Sequence, residues 1–274
     1  RSLLAVSIHE IAHSWLPLLT GTNESYLYWL DEGFASFATS IAMDEILPQK
    51  KKENPCESRY KSYYSLVKSD ESEPLSTHAD HFSTNKSYGA SAYIKGAITF
   101  HQLGYVIGED VMFKALRNYF NKWKFKHAGK EEFIREFEKE SGLVLDWYFD
   151  YWIGTTKTID YGIRSVSSDY GKTNLLLEKI GEMPMPIEIK VMLKDGSNKQ
   201  YYIPLEMMRG EKKHPDDVII MSDWPWVNPY YEFDIPHSLS AIESIEIDDS
   251  QRMADIDRSN NVFPFAKDLE LKGV

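Results

Sequence analysis

The stretch that decides the fold of this chain is Ser7-Ile8-His9-Glu10-Ile11-Ala12-His13-Ser14-Trp15, close to its start. Residues four apart lie on one face of a helix, so the imidazoles of His9 and His13 can converge on one metal ion. Glu10 can then reach a water molecule beside that metal. This spacing is typical of zinc peptidases, and it predicts a metal-binding helix.

The same segment has the pattern of a packed helix, whether or not it binds a metal. Four apolar residues recur at helical spacing and predict a second face to be buried: Leu4, Ile8, Ile11 and Trp15. Pro17 disfavours helical geometry in the residue before it, so Leu16 is the predicted helix end. A pair of histidines on a helix can also be a hydrogen-bonded packing feature, so a metal site requires a further ligand.

Catalytic zinc commonly has two His and one carboxylate as ligands and keeps a fourth position open for water. Two acids in Trp29-Leu30-Asp31-Glu32-Gly33-Phe34-Ala35 are candidates for the third ligand. Glu32 is favoured because the buried stripe predicted for this helix leaves it facing a neighbouring element; the stripe is Leu30, Phe34, Phe37 and Ile41. Asp31 is the alternative, since the helix dipole also favours acids in a first helical turn. One acid can bind the metal while the other stabilises the helix start.

These stretches resemble the gluzincin zinc aminopeptidases related to aminopeptidase N. The resemblance rests on the spacing of eighteen residues between His13 and Glu32 and on the Trp-Leu-x-Glu-Gly-Phe-Ala sequence around the glutamate. Ser91-Ala92-Tyr93-Ile94-Lys95-Gly96-Ala97 is similar to the family's Tyr-x-Lys-Gly-Ala segment. The similarity extends over residues 3–152, and the remainder is similar in outline to the β-sandwich that follows the catalytic domain in that family.

The resemblance implies a hydrolytic site. Its implied ligands for one Zn²⁺ per chain are His9, His13 and Glu32. Glu10 would take a proton from the attacking water and pass it to the leaving amine. Tyr93 would donate a hydrogen bond to the oxyanion. A tyrosine on a helix can instead be a core residue, but the Lys95-Gly96-Ala97 that follows favours the catalytic interpretation.

The chain departs from the family pattern in two places. No stretch matches the Gly-x-Met-Glu-Asn strand, whose glutamate binds the free amino group of the substrate. Position 39, where the family commonly has an acid that supports a ligating His, is Thr39, and the next acids are Asp44 and Glu45. Three interpretations therefore remain open: the catalytic portion of an aminopeptidase, an endopeptidase or other zinc hydrolase on the same scaffold, and an inactive binding module.

Composition narrows the possible partners. The formal net charge of −11 disfavours nucleic acid, because phosphate binding depends on clustered Lys and Arg. No run approaches the roughly 18 to 20 apolar residues of a membrane span. The single cysteine, Cys56, excludes an internal disulfide. The expected partners are a peptide substrate and the rest of a larger parent protein upstream of Arg1, since the chain does not begin with Met.

The expected fold class is α+β, with an α-helical zincin catalytic subdomain followed by a small antiparallel β-sandwich. The expected division is a helical catalytic subdomain at 1–158, truncated at its N-terminus, a β-sandwich at 159–252 and a C-terminal tail at 253–274. Further helices are predicted at 90–103, 108–123, 130–141 and 143–152. Strands are predicted at 173–180, 187–193, 200–205, 218–221, 230–235 and 242–247. Solvated loops are predicted at 47–55 and at 69–86, where the cluster His78, Asp80 and His81 is interpreted as exposed rather than as a second metal site.

Overall fold

The computed structural model describes residues 2–47, 54, 56–69 and 71–265. It divides into two compact units, Arg1–Thr156 and Lys157–Val274. The described part of the first unit is helical and that of the second contains the strands, so the predicted α+β class is confirmed. Most of the loop predicted at 47–55 lies outside the described residues, as do residues 266–274.

The first unit is built from helices joined by short turns. The α-helices are α1 (Ser2–Ala12), α2 (Glu24–Tyr28), α3 (Phe34–Ile46), α4 (Glu57–Val67), α5 (Asn85–Gly89), α6 (Gly96–Ile107), α7 (Glu109–Trp123), α8 (Lys130–Ser141) and α9 (Asp146–Gly154). Three π-helical turns interrupt them, at Ser14–Leu19, Trp29–Gly33 and Ala90–Lys95. The four later helices lie where they were predicted, except that α6 begins only at Gly96 and continues past the predicted end at 103 to Ile107, whereas α4 and α5 were not predicted. Polar residues dominate α4, and its buried stripe is Tyr60, Tyr63 and Leu66.

The second face of α1 differs from the prediction. Ile11 and Trp15, expected to be buried, are 59% and 47% exposed. α1 packs against α3, but no element among the described residues covers Ile11. Leu16 has non-helical backbone angles, in agreement with the predicted helix end before Pro17.

An aromatic core supports the centre of the helical unit. The indole of Trp29 is fully buried and contacts rings from α6, α8 and α9, with centroid distances of 6.1 Å to Phe100, 5.8 Å to Phe133 and 6.1 Å to Phe149. Burying rings of this size contributes several kcal/mol. This core fixes the turn Trp29–Gly33, which also carries Asp31 and Glu32.

The second unit consists of two sheets. The strands are β1 (Tyr161–Asp169), β2 (Lys172–Lys179), β3 (Ile187–Leu193), β4 (Asn198–Ile203), β5 (Val218–Ile220), β6 (Tyr230–Ile235), β7 (Ile242–Ile247) and β8 (Val262–Phe263). One sheet has the order β1-β2-β6 and the other β5-β4-β3-β7-β8. β3 alternates strictly between buried and half-buried residues, as expected of a strand with one face in a core. Tyr201 of one sheet contacts Phe233 of the other at 5.3 Å between ring centroids, so the sheets face each other.

The predicted sandwich is not wholly antiparallel. β5 pairs with β4 in parallel, while the other strand pairs are antiparallel. The reason lies in the connection at 204–217, which is long enough for a crossover, whereas an antiparallel neighbour could be reached by a tight turn. The predicted hairpin between β3 and β4 is confirmed, and its Gly196 has a φ of +86°, which suits glycine.

The segment expected to be an outer tail, 253–274, instead belongs to the β unit as far as it is described. Met253 and Ala254 are fully buried, and β8 pairs with β7. The carboxylate of the buried Asp255 accepts a hydrogen bond from the backbone N–H of Tyr161 at 3.0 Å. Apolar burial and backbone pairing thus tie this segment to the sheets.

None of the described helices is both long and apolar enough to cross a bilayer.

Candidate metal centre

α1 brings the two predicted histidine ligands together. The backbone N–H of His13 donates to the carbonyl of His9 at 3.3 Å, so His13 continues the helical turn just after α1 ends. The two Nε2 atoms are 3.2 Å apart, and the ring centroids are separated by 4.8 Å. The helix therefore aims both imidazoles at one point.

Glu32 reaches the same point from the turn Trp29–Gly33. Leu27 has non-helical backbone angles, so Asp31 and Glu32 lie in the first turn after this break, where the sequence predicts a helix start. Glu32 Oε2 is 2.9 Å from His9 Nε2 and 3.4 Å from His13 Nε2. Turns of π-helix are often found at functional sites, because they displace a side chain from the regular helical position.

The three side chains fit a zinc ion. Tetrahedral zinc with bonds of about 2.0–2.2 Å holds its ligand atoms roughly 3.3 to 3.6 Å apart. The observed separations among the three donor atoms are 2.9, 3.2 and 3.4 Å. Among the described residues, His9, His13 and Glu32 form the group whose donor atoms could hold a metal. Two imidazoles and one carboxylate also form a common donor set of catalytic zinc.

Asp31 supports the site from the other side of His13. Its Oδ1 lies 2.6 Å from Nδ1 of His13, so this nitrogen donates and Nε2 keeps its lone pair for a metal. Burial raises the pKa of Asp31, while its contact with His13 acts to lower it. Thr39, which occupies the position where a supporting acid was sought, donates to the carbonyl of Ala35 at 2.7 Å. The carboxylate that contacts His13 therefore comes from Asp31, which directly precedes Glu32, rather than from a residue two helical turns after Glu32.

Tyr93 is placed beside the three donor atoms by the π turn Ala90–Lys95. Its hydroxyl donates to Glu32 Oε1 at 2.5 Å, and its ring stacks on His9 at 5.7 Å between centroids. The side chain is partly open, with 36% exposure. Burial and then the hydrogen bond to Glu32 raise the pKa of the phenol, so it remains a proton donor at neutral pH.

Glu10 is solvent-exposed and directly follows His9 on α1. A carboxylate in this position is accessible to water and substrate.

The cluster at 78–81 differs from the metal centre: His78 is half-buried and accepts a hydrogen bond from the N–H of Asp80 at 3.2 Å, and His81 packs beside it. Those side chains interact with one another without converging on a common point.

Two glycines allow the turns carrying Glu32 and Tyr93 to approach each other. A Cβ built on Gly96 would lie 2.8 Å from the Cα of Gly33, and a Cβ on Gly33 would lie 2.9 Å from the backbone of Gly96. Real Cβ atoms do not approach backbone so closely, so the two turns would have to separate. This explains in physical terms why both motif segments contain a glycine.

We expect Gly96→Ala to destabilise the protein by about 1–3 kcal/mol, because the added methyl overpacks a contact between two backbones. The matched control is Gly89→Ala. Gly89 has helical backbone angles, and apart from its chain neighbours and its own helix backbone no atom of the described residues lies within 4 Å of an added methyl group, so alanine there should be neutral or stabilising. Thermal unfolding measures both. A Gly96→Ala variant as stable as Gly89→Ala would contradict the close approach.

Comparison with known families matches residues 1–152 to the Peptidase family M1 domain. The match spans more than half of the 274 residues. The helical first unit and the three convergent donor atoms are typical of a metallopeptidase. The chain belongs to peptidase family M1, in agreement with the resemblance predicted from its motifs.

Individual relatives are consistent with this assignment. The chain is 28% identical over 156 residues to "Probable aminopeptidase 1" of Sulfurisphaera tokodaii, covering 56% of this chain and 20% of that protein. It is 27% identical over 176 residues to "Aminopeptidase M1" of Arabidopsis thaliana, covering 64% and 20%. The chain thus spans about a fifth of these curated relatives. The crystal structure of Legionella pneumophila aminopeptidase A in complex with aspartic acid has the same fold, with a TM-score of 0.60 at 15% identity, over 92% of this chain and 26% of that one.

Proposed function

We propose that this chain is the catalytic portion of a zinc metallopeptidase, and that the protein containing it is an aminopeptidase that hydrolyses N-terminal residues from peptides. The observation that carries the proposal is the convergence of the donor atoms of His9, His13 and Glu32 within 4.8 Å of one another. Tyr93 contacts both Glu32 and His9, and Glu10 adjoins His9 in sequence on α1, so a hydrogen-bond donor and a carboxylate base are available next to the proposed ligands.

In the proposed mechanism, His9, His13 and Glu32 would hold a zinc ion, which would supply Lewis-acid chemistry to the scissile carbonyl and the attacking water. The carboxylate of Glu10 takes the proton from the attacking water and delivers it to the leaving amine. The hydroxyl of Tyr93, which donates to Glu32 in the structure, turns to donate to the oxygen that becomes negative in the transition state. Asp31 holds the ring of His13 in the tautomer and orientation that ligation requires.

The aminopeptidase assignment is supported by the relatives, which are themselves named aminopeptidases. An endopeptidase on the same scaffold is the second candidate, because the proposed ligands, base and hydrogen-bond donor would serve either reaction. The two candidates differ in one property. An aminopeptidase requires the positive amino terminus of its substrate, whereas an endopeptidase does not.

The test compares an aminoacyl-amide reporter that has a free amino group with the same reporter after acetylation, using the full-length, zinc-loaded protein. We expect cleavage of the free reporter to exceed that of the acetylated one by at least about 100-fold, the equivalent of roughly 3 kcal/mol of transition-state binding. Equal cleavage of both would assign an endopeptidase. Absence of cleavage of either reporter and of longer peptides, with zinc fully bound, would assign an inactive binding module.

A further inference from the structure

Lys95 is an almost completely buried lysine beside the proposed active site. It is the last residue of the π turn that carries Tyr93, and it is 1% exposed. Lysine is rarely buried to this extent unless it is paired with an acid. Lys95 has no carboxylate partner among the described residues, and burial lowers the pKa of its ammonium group to about 7. The side chain therefore requires an explanation other than an ion pair.

The amine of Lys95 bonds to the end of a helix. Its Nζ donates to the carbonyl of Thr155 at 2.5 Å. Thr155 directly follows α9, and the C-terminal end of a helix favours a cation because its free carbonyls carry partial negative charge. α9 is a firm support, since its Trp152 is fully buried. Lys95 thus joins the turn of Tyr93 to a helix in the core.

The turn of Tyr93 is therefore held at two points. On one side Gly96 lies against Gly33 and fixes the distance to the turn of Glu32. On the other side Lys95 ties the same turn to Thr155. Two separate anchors on adjacent residues restrict the rotation of the turn, and this rotation decides where the hydroxyl of Tyr93 points.

Stability alone does not account for Lys95. A buried ammonium has three N–H donors, and among the described residues one acceptor is recorded for Lys95, while burial itself disfavours its charged form. Methionine has a similar length and could fill the same space without that cost. A side chain that lowers stability where it lies is expected at functional positions.

We propose that Lys95 is a positioning residue for Tyr93, and that its hydrogen bond to the carbonyl of Thr155 fixes the turn so that the Tyr93 hydroxyl faces the reacting carbonyl. This inference rests on the proposed hydrolytic function. It assigns Lys95 no contact with substrate or metal. Removing the amine should therefore affect catalysis only through Tyr93.

The first test is kinetic and uses the full-length, zinc-loaded protein. We expect Lys95→Met to lower kcat by roughly 10- to 100-fold with KM changed less than about threefold, because the donor is misplaced while substrate binding remains. Zinc content should not change. In a Tyr93→Phe background, the same substitution should change kcat by less than about threefold, since residues that act as a unit are not additive.

A matched control separates positioning from stability. Gln102 lies on α6, nine residues after Tyr93, is fully buried, and donates to the hydroxyl of Tyr60 on α4 at 3.0 Å. Gln102→Leu should lower the melting temperature and leave kcat unchanged. Lys95→Met should lower kcat, and its melting temperature should not be lower than that of the Gln102→Leu variant.

The second test does not depend on activity. Crystal structures of the metal-free parent and of Lys95→Met should show the Tyr93 hydroxyl displaced from Glu32 Oε1 in the variant. An unmoved Tyr93, an unchanged kcat, or an equal loss of kcat with and without the Tyr93 hydroxyl would each overturn the inference. A parent protein that binds no zinc and cleaves nothing would instead refute the proposed function, and the crystallographic comparison would still decide the role of Lys95.

Discussion

Glu10→Gln is expected to lower kcat for peptide cleavage by about 100- to 10,000-fold, the range typical of a lost general base. Glutamine keeps the size and shape of the side chain but cannot take a proton from the attacking water. Because Glu10 is solvent-exposed on α1, the substitution leaves the core intact. Zinc content, measured by elemental analysis, should be the same as in the parent protein.

The matched control is Glu45→Gln. Glu45 is another exposed glutamate on a helix, α3, and lies outside the metal centre. The two variants have the same change of charge, so any general effect of net charge on substrate attraction appears in both. If Glu10→Gln retained cleavage within about threefold of Glu45→Gln, the proton would be removed by another group and the assigned base would be wrong.

The part of the site that was predictable from sequence consists of residues that lie close together along the chain. His9 and His13 are one helical turn apart, and helical geometry alone brings their rings together. Predicting Glu32 as the third ligand required more information, because periodicity left Asp31 as an alternative. The resemblance to a family then favoured Glu32. The structure distinguishes the two acids: Glu32 faces the two Nε2 atoms, while Asp31 contacts Nδ1 of His13.

The features that were not predictable depend on contacts between distant segments. The anchor from Lys95 to Thr155 joins residues 60 positions apart, and no local pattern indicates that a lysine will be buried. The close approach of Gly33 and Gly96 likewise requires the packing of two turns. The exposure of Ile11 was missed for a related reason: periodicity identifies an apolar face but not whether another element covers it.

The same distinction applies to the β unit. The hairpin around Gly196 was predictable because a turn residue and two alternating runs are local signals. The parallel pairing of β5 with β4 was not, since it depends on how a long connection crosses the sheet. The place of β8 beside β7 is also a long-range contact, made by a segment of only two residues.

Two substitutions in the proposed metal site are expected to reduce zinc affinity to different extents. His9→Ala removes one of the three proposed ligands and leaves two protein donors, so stoichiometric zinc should be lost. Asp31→Asn leaves the three proposed ligands in place but replaces the carboxylate that lies 2.6 Å from Nδ1 of His13 by an amide. Loss of such a supporting partner typically weakens metal binding by about 10- to 100-fold.

Competition with chelators of graded affinity measures both reductions, and Asp44→Asn is the control. Asp44 lies on α3 and is half-buried, so its change of charge matches that of Asp31→Asn without altering a ligand's partner. Asp31→Asn should therefore bind zinc more weakly than Asp44→Asn, and His9→Ala more weakly than either. Full zinc occupancy in His9→Ala would show that the metal is held elsewhere. Equal affinity in the two aspartate variants would show that the orientation of His13 does not depend on Asp31, and that the helix alone suffices to aim its ring.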